Sequence, residues 1–228
     1  EVAESPLKSR QQAAWSAGVF RGNNRDAIMF ISDIAGNGYF ANFGDTRRQG
    51  LELSASGRAG PVRMGANFPL LDATFRSPLV LQADGNSTND SGYYDQGNIQ
   101  VTPGDRIPLV PRQVFKTWAQ WDVTRQVSLD ADLQYTGWSY ARGNENNAHQ
   151  PDGVYFLGPG YIGGYMVANM GVEFRPIEHL KLFLQVDNLF DRRYATASML
   201  GTTSFTAAGN FVSRPFPTLT DGDNYAQV

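Results

Sequence analysis

Cysteine is missing from all 228 residues. That excludes a disulfide framework, thiol catalysis and cysteine-based zinc sites, while leaving the redox compartment open. Histidine is nearly missing as well: His149 in a loop and His179 in a turn lack metal-ligand spacing, and both are expected on solvated surface. No stretch approaches the ~18 consecutive apolar residues of a membrane helix, so any bilayer crossing must be made by strands. Nor is there a basic excess: 19 Lys and Arg stand against 22 Asp and Glu, which gives no footing for nucleic acid. G-x-S-x-G, P-loop and dinucleotide fingerprints are all wanting. Asp221-Gly222-Asp223-Asn224 lacks the closing Glu of a calcium loop. With no nucleophile–base pair the chain does not read as an enzyme, and no cofactor or metal is called for. It carries no signal peptide and opens on Glu1, as a soluble protein or a piece cut from a longer chain would.

What the chain does have is period-2 alternation, the mark of strands with one apolar and one wet face. The cleanest case sets Val127, Leu129, Ala131, Leu133 and Tyr135 against Ser128, Asp130, Asp132, Gln134 and Thr136. The same reading gives about seven strands. A first, long strand is expected from Trp15 to Ile31, with a bulge at Gly22–Asn24. A second runs over Tyr39–Ser56, a third from Val62 to Thr74, and a fourth over 112–123 with Trp118 on its polar side. The fifth covers 127–136 and the sixth 166–175. In the seventh, Leu180, Leu182, Leu184 and Val186 oppose Lys181, Gln185 and Asp187, Phe183 being the exception. Residues 1–14 show no clean period and read as a lead-in.

The connections sort by length. Turns at 57–61, 124–126 and 176–179 are tight; 32–38, 75–111, 137–163 and everything after 188 are mostly long and rich in Gly, Asn, Ser and Asp. Nearly forty aperiodic residues do not suit a compact soluble domain. Short turns on one rim and long loops on the other do suit an outer-membrane β-barrel. Strand lengths agree with the ~9–11 tilted residues that cross the hydrocarbon. Tyr135, Trp138 and Tyr140 fit an aromatic girdle at one rim, Trp15 and Trp121 at the other. The negative mean hydropathy is no objection, because half of each strand faces a polar lumen. A soluble β-rich binding module and a passive porin-like channel remain open on this pattern alone.

Three blocks narrow the choice: Val186–Tyr194 (V-D-N-L-F-D-R-R-Y), Asn42–Glu52 (N-F-G-D-T-R-R-Q-G-L-E) and Pro103–Arg112 (P-G-D-R-I-P-L-V-P-R). In this order they resemble the "NLFDxxY" penultimate strand, the "NxGxxRxxGxE" strand and a pre-strand segment of TonB-dependent outer-membrane receptors. The resemblance implies an all-β fold, a transmembrane antiparallel β-barrel. Residues 1–228 would be one domain, a C-terminal part contributing about seven strands of roughly 22, with the plug domain and the last strand absent. It also implies location in a Gram-negative outer membrane, contact with its lipid, and energy-coupled uptake of a scarce solute, most often a ferric siderophore. The TonB energy-coupling complex would be engaged through the missing N-terminal part. Seven strands alone would leave two unpaired edges and an apolar face.

Within that frame the loop Tyr140–Asn147 (Y-A-R-G-N-E-N-N) is the candidate ligand contact. Tyr140, Arg142, Asn144 and Glu145 are its candidate binding residues, since Arg and Tyr can hold an anionic chelate by charge-assisted bonds and stacking. Asp187, Asp191, Arg192 and Arg193 read either as ligand or plug contacts or as residues that solvate the outer rim and tie neighbouring strands, and Arg47, Arg48 and Glu52 as lining of the lumen or rim.

Overall fold

The strand patterns assemble, in the computed structural model, into one antiparallel meander. The structure describes residues 12–32, 38–42, 44–90, 97–153, 156–201 and 210. The strands are β1 (Gln12–Asn24), β2 (Ile28–Ser32), β3 (Gly38–Asn42), β4 (Thr46–Ala59), β5 (Val62–Phe75), β6 (Leu79–Gln82) and β7 (Asn98–Val101). They are followed by β8 (Val114–Asp122), β9 (Val127–Thr136), β10 (Ser139–Tyr140), β11 (Tyr161–Ile162), β12 (Tyr165–Ile177) and β13 (Leu180–Val186). Seven long strands form the wall in the order β1-β4-β5-β8-β9-β12-β13, while β2–β3, β6–β7 and β10–β11 are separate hairpins.

Register explains why the wall has two unlike faces. Ala13, Gly57, Met64, Ala119, Ala131, Met170 and Val186 stand in one row across all seven strands. The next row reads Ala14, Ser56, Gly65, Trp118, Asp132, Asn169. A slip of one residue in any strand would exchange the faces. The apolar face is uncovered: Trp15 is 80% exposed, Val19 85% and Leu184 66%. Side chains like these are stable outside a core only against hydrocarbon, so this is the lipid side. The opposite, polar face is the lumen side.

A hydrophobic core does exist, but at one end of the wall. On β5 the lipid-side column runs Val62, Met64, Ala66, Phe68, Leu70 and then turns polar at Asp72 and Thr74. The lumen-side column becomes apolar over the same stretch, through Leu71, Ala73 and Phe75. Ala73 and Phe75 are buried with Leu81, Ala83, Ile99, Val101 and Ile107. The β6–β7 hairpin thus folds onto the lumen side of the wall, and each large side chain it buries contributes about 1.5–3 kcal/mol.

The rims separate as the loop lengths require. Turns at Gly60–Pro61, 123–126 and 178–179 lie together, and the last two are sewn to each other by Arg175 N–H to Gln126 C=O at 2.7 Å and Gln126 Nε2 to Pro176 C=O at 3.2 Å. All long connections leave from the other rim. Among the described residues β1 and β13 pair on one side only.

Four expectations need correction. The first strand ends at Asn24 rather than Ile31: Asp26 takes a left-handed φ of 52°, and the A-I-M-F-I run forms β2 of its own hairpin. The second is two strands, β3 and β4, broken at Gly44 with φ 67°. The long loops contain short hairpins instead of being free of strands. His149 is not solvated surface; it is 7% exposed. His179 is exposed, as expected. Residues 1–11 of the lead-in, and Asp221–Asn224, lie outside the described residues.

Candidate functional site at the loop rim

The loops that an external ligand would meet are the segments 76–113, 137–164 and 187–201. Their sequences contain one heptapeptide pattern twice, Ala83-Asp84-Gly85-Asn86-Ser87-Thr88-Asn89 and Ala141-Arg142-Gly143-Asn144-Glu145-Asn146-Asn147. Both copies make the same pair of turn hydrogen bonds, although Gly143 and Asn147 take left-handed φ of 87° and 56° where Gly85 and Asn89 do not. Asn86 N–H donates to Ala83 C=O (2.9 Å) and Asn144 N–H to Ala141 C=O (3.2 Å); Asn89 and Asn147 N–H then donate to the carbonyls of Asn86 and Asn144 (3.2 and 3.1 Å). Asn favours such turns because its short amide can satisfy nearby backbone groups. The central asparagines are sealed, Asn86 at 0% and Asn144 at 2% exposure.

The two copies are bolted together. Asn86 Nδ2 donates to Gly143 C=O at 2.8 Å and to Asn146 Oδ1 at 3.2 Å, and Asn146 Nδ2 donates to Thr88 Oγ1 at 2.8 Å. His149 is the second bolt. Its Nδ1 accepts from Ser87 N–H at 3.0 Å and its Nε2 lies 2.9 Å from Gly158 C=O, so the proton sits on Nε2. A third comes from Asn147, whose Oδ1 accepts from Arg106 N–H (2.6 Å) and whose Nδ2 donates to Arg106 C=O (3.0 Å). The last loop joins through Arg142, which exchanges backbone bonds with Ser198 (3.0 Å) and Leu200 (2.8 Å).

The four candidate residues therefore share one loop but not one environment. Asn144 spends its amide inside, Nδ2 on Gly160 C=O (2.9 Å) and Oδ1 on His149 N–H (3.0 Å). Glu145, 7% exposed, accepts from Gly143 N–H at 3.1 Å. Burial pushes its carboxyl above the usual range, against the pull of the Gly143 N–H and the Arg142 charge. Arg142 and Tyr140 are half-buried. Tyr140 meets Trp138 edge-on at 5.1 Å, and Arg106 lies over both rings, 4.9 Å from Trp138 and 5.7 Å from Tyr140. Because Arg106 pairs with Thr74, a lipid-side residue, this aromatic group is a girdle at the upper edge of the apolar band.

The N-L-F-D-R-R-Y stretch makes a cleft beside it. Asn188, at φ 51°, donates its backbone N–H to Asn169 Oδ1 (2.8 Å) and closes the turn with its own amide on Arg192. Tyr194 then stacks on Tyr165 at 4.3 Å. Arg192, Arg193, Tyr161, Tyr165, Tyr194 and Ser198 line a cleft of about 320 Å³. Sequence reasoning placed the two arginines at the rim but missed Tyr161 and Tyr165, which carry no signal beyond their aromatic character. Among the described residues no group of three or more His, Asp and Glu could hold a metal ion.

The family model described as "TonB dependent receptor-like, beta-barrel" matches residues 7–189. The chain belongs to that family. As a TonB-dependent receptor barrel, its wall is part of a Gram-negative outer-membrane protein. It is 25% identical over 178 residues to the catecholate siderophore receptor Fiu of Escherichia coli, covering 75% of this chain and 20% of that one. It is 26% identical over 140 residues to the ferric enterobactin receptor of Pseudomonas aeruginosa, covering 61% and 18%. The chain thus spans about a fifth of the length of the curated relatives it matches. Among solved structures, the siderophore receptor PiuA from Acinetobacter baumannii superposes with a TM-score of 0.56 at 19% identity, over 86% of this chain and 24% of that one. The ferric yersiniabactin uptake receptor FyuA from Yersinia pestis gives 0.53 at 22%, over 81% and 23%. These last two likenesses concern the fold. The family consists of receptors and transporters rather than enzymes.

Proposed function

We propose that this chain is barrel wall and loop rim of a receptor for TonB-dependent, energy-coupled uptake of a ferric siderophore. Relatives named as siderophore receptors support the reading. The observation that carries it is the bolting of three long loops into one body on a single rim. A passive channel has no need to fix its loops; a receptor that must recognise a bulky solute avoids an ordering cost by doing so beforehand.

In this reading the candidate contacts divide. Asn144 and Glu145 shape the loop from inside, while Arg142 presents charge at its surface and Tyr140 forms its flank. The cleft of Arg192, Arg193 and Tyr194 offers guanidinium and phenol groups suited to an anionic, aromatic chelate. TonB contact would come through regions other than these residues.

The test is uptake of radiolabelled ferric enterobactin by cells expressing the full-length receptor that contains these residues, with and without a protonophore. Uptake that ceases when the proton gradient collapses is the expected result. Uptake that persists would replace this proposal with the passive channel.

A further inference from the structure

The turn that carries Arg192, Arg193 and Tyr194 is fastened to the wall through a side chain of β12. The ladder between β12 and β13 reaches Val186 opposite Met170 and goes no further. Just beyond it Asn188 gives its backbone N–H to a side chain instead, the Oδ1 of Asn169, at 2.8 Å. The other end of that amide is engaged as well: Asn169 Nδ2 donates to Asp132 Oδ2 on β9 at 2.9 Å. Asp132 and Asn169 stand directly opposite each other in the register, in the lumen-side row.

The two partners of Asn169 dictate which way its amide points. An ionised carboxylate only accepts, and a backbone N–H only donates. With Nδ2 toward Asp132 and Oδ1 toward Asn188 both are satisfied; turned over, the amide would set oxygen against oxygen and N–H against N–H. Asp132 therefore fixes an acceptor at the point where the chain leaves β13. A charged acceptor holds the amide more firmly than a neutral one would, and among the described residues no ion pair diverts the Asp132 carboxylate.

From that acceptor the order passes outward to the cleft. Leu189 N–H donates to Ala168 C=O at 2.7 Å, and the Asn188 amide clasps the Arg192 backbone through both its atoms. Tyr194 closes the turn by stacking on Tyr165. Tyr165, Ala168 and Asn169 all belong to β12, so the turn is registered on this one strand at both its ends. Asn169 and Tyr165 are roughly 13 Å apart along the strand, and the chain from 188 to 194 covers that span. Arg192 and Arg193 lie within it and line the cleft. Guanidinium groups held in place before a solute arrives bind it without an added ordering cost.

We propose that Asp132 and Asn169 are positioning residues for the cleft. The carboxylate orients the amide, the amide holds Asn188, and Asn188 sets Arg192, Arg193 and Tyr194 against Tyr165. Both residues act from the lumen face of the wall and through the turn, without touching the solute. Their part in uptake rests on the ligand contact proposed for the cleft; their hold on the turn does not.

The test measures hydrogen exchange over 188–195 and affinity for ferric enterobactin in the full-length receptor that contains these residues. Asn169→Asp sets a second carboxylate against Asp132 and is expected to raise exchange and weaken binding, each by about tenfold. Adding Asp132→Asn exchanges the two groups, so that an amide again donates to a carboxylate and the carboxylate again accepts from Asn188 N–H. This double variant is expected to return both readouts to within about twofold of the parent. Asp132→Ala removes the anchor without adding charge; it is expected to raise the same exchange and serves where the first variant does not assemble. A purely steric role for Asn169 would leave the double variant as impaired as Asn169→Asp alone, and that result would overturn the proposal. Parental exchange in Asn169→Asp or in Asp132→Ala would overturn it too. Exchange that rises and is restored by the swap, with binding unchanged throughout, would uphold the positioning and remove the cleft from solute recognition.

Discussion

The side-chain amide of Asn188 holds the backbone of Arg192 from both ends: Oδ1 accepts its N–H at 2.9 Å and Nδ2 donates to its C=O at 3.1 Å. The clasp turns the chain at the end of β13 and delivers Tyr194 onto Tyr165. It gives the N-L-F-D-R-R-Y stretch a physical reason for its first residue. Asn tolerates the left-handed backbone at this position and supplies both a donor and an acceptor. Asn188→Ala loses both bonds and adds left-handed strain of about 1–2 kcal/mol; Asn188→Gly loses the bonds alone. Hydrogen exchange over 188–195 is expected to rise in both variants, more in the alanine one, while the wall strands stay protected. Unchanged exchange in the glycine variant would show that the clasp contributes nothing.

Glu145 makes the loop rim sensitive to pH. Its carboxyl is raised in the folded loop, chiefly by burial. A raised acid stabilises the fold fully below its unfolded value, and that contribution is lost as pH rises through the folded one. Protection of 141–150 against exchange, corrected for intrinsic rates, is therefore expected to fall as pH rises from the ordinary glutamate range. Glu145→Gln keeps an acceptor for Gly143 N–H without the charge. It is expected to be flat over the same window and better protected at neutral pH.

Gly85 is the point where the last loop bears on the first. A Cβ there would lie 2.7 Å from Gly201 N and 2.8 Å from the Leu200 carbonyl carbon. Gly85→Ala is expected to push 198–201 away and raise its exchange, with a small change in barrel melting. If the proposed function holds, ferric enterobactin uptake falls with it. A variant with normal exchange in 198–201 would refute the contact.

Gly65 tests the wall itself. Its position lies under the Trp118 indole, with a built Cβ 2.8 Å from Nε1. Gly65→Val overpacks this contact and is expected to cost about 1–3 kcal/mol, read as a lower temperature of the heat-induced mobility shift. Trp118→Leu in the same chain should recover part of the loss.

These elements differ in how far the sequence discloses them. The seven wall strands are legible because each must alternate to separate lipid from water, as Val127–Thr136 does. Trp118 stands on the polar side, as its position in the alternation requires. The β2–β3 hairpin escaped because A-I-M-F-I continues the apolar character of β1, and the break depends on the backbone angle of a single aspartate, Asp26. The loop rim escaped for another reason. Its bonds join side chain to backbone across 57 to 63 residues, and such pairings leave no period in the chain. Asn144 and Glu145 look in sequence like solvated loop polarity, and only the fold shows them turned inward. His149 is the same case.

The bolting of 83–90 to 141–160 and of Arg142 to 198–200 bears on how this rim can be re-engineered. Loops that fold independently can be exchanged one at a time between relatives, and each exchange samples a new surface. Here a foreign segment in place of 83–90 would leave Asn146, His149 and Gly143 without their counterparts. Transplantation should succeed when the three segments travel as a set and fail singly, so the unit of inheritance for a new specificity is the rim and not the loop.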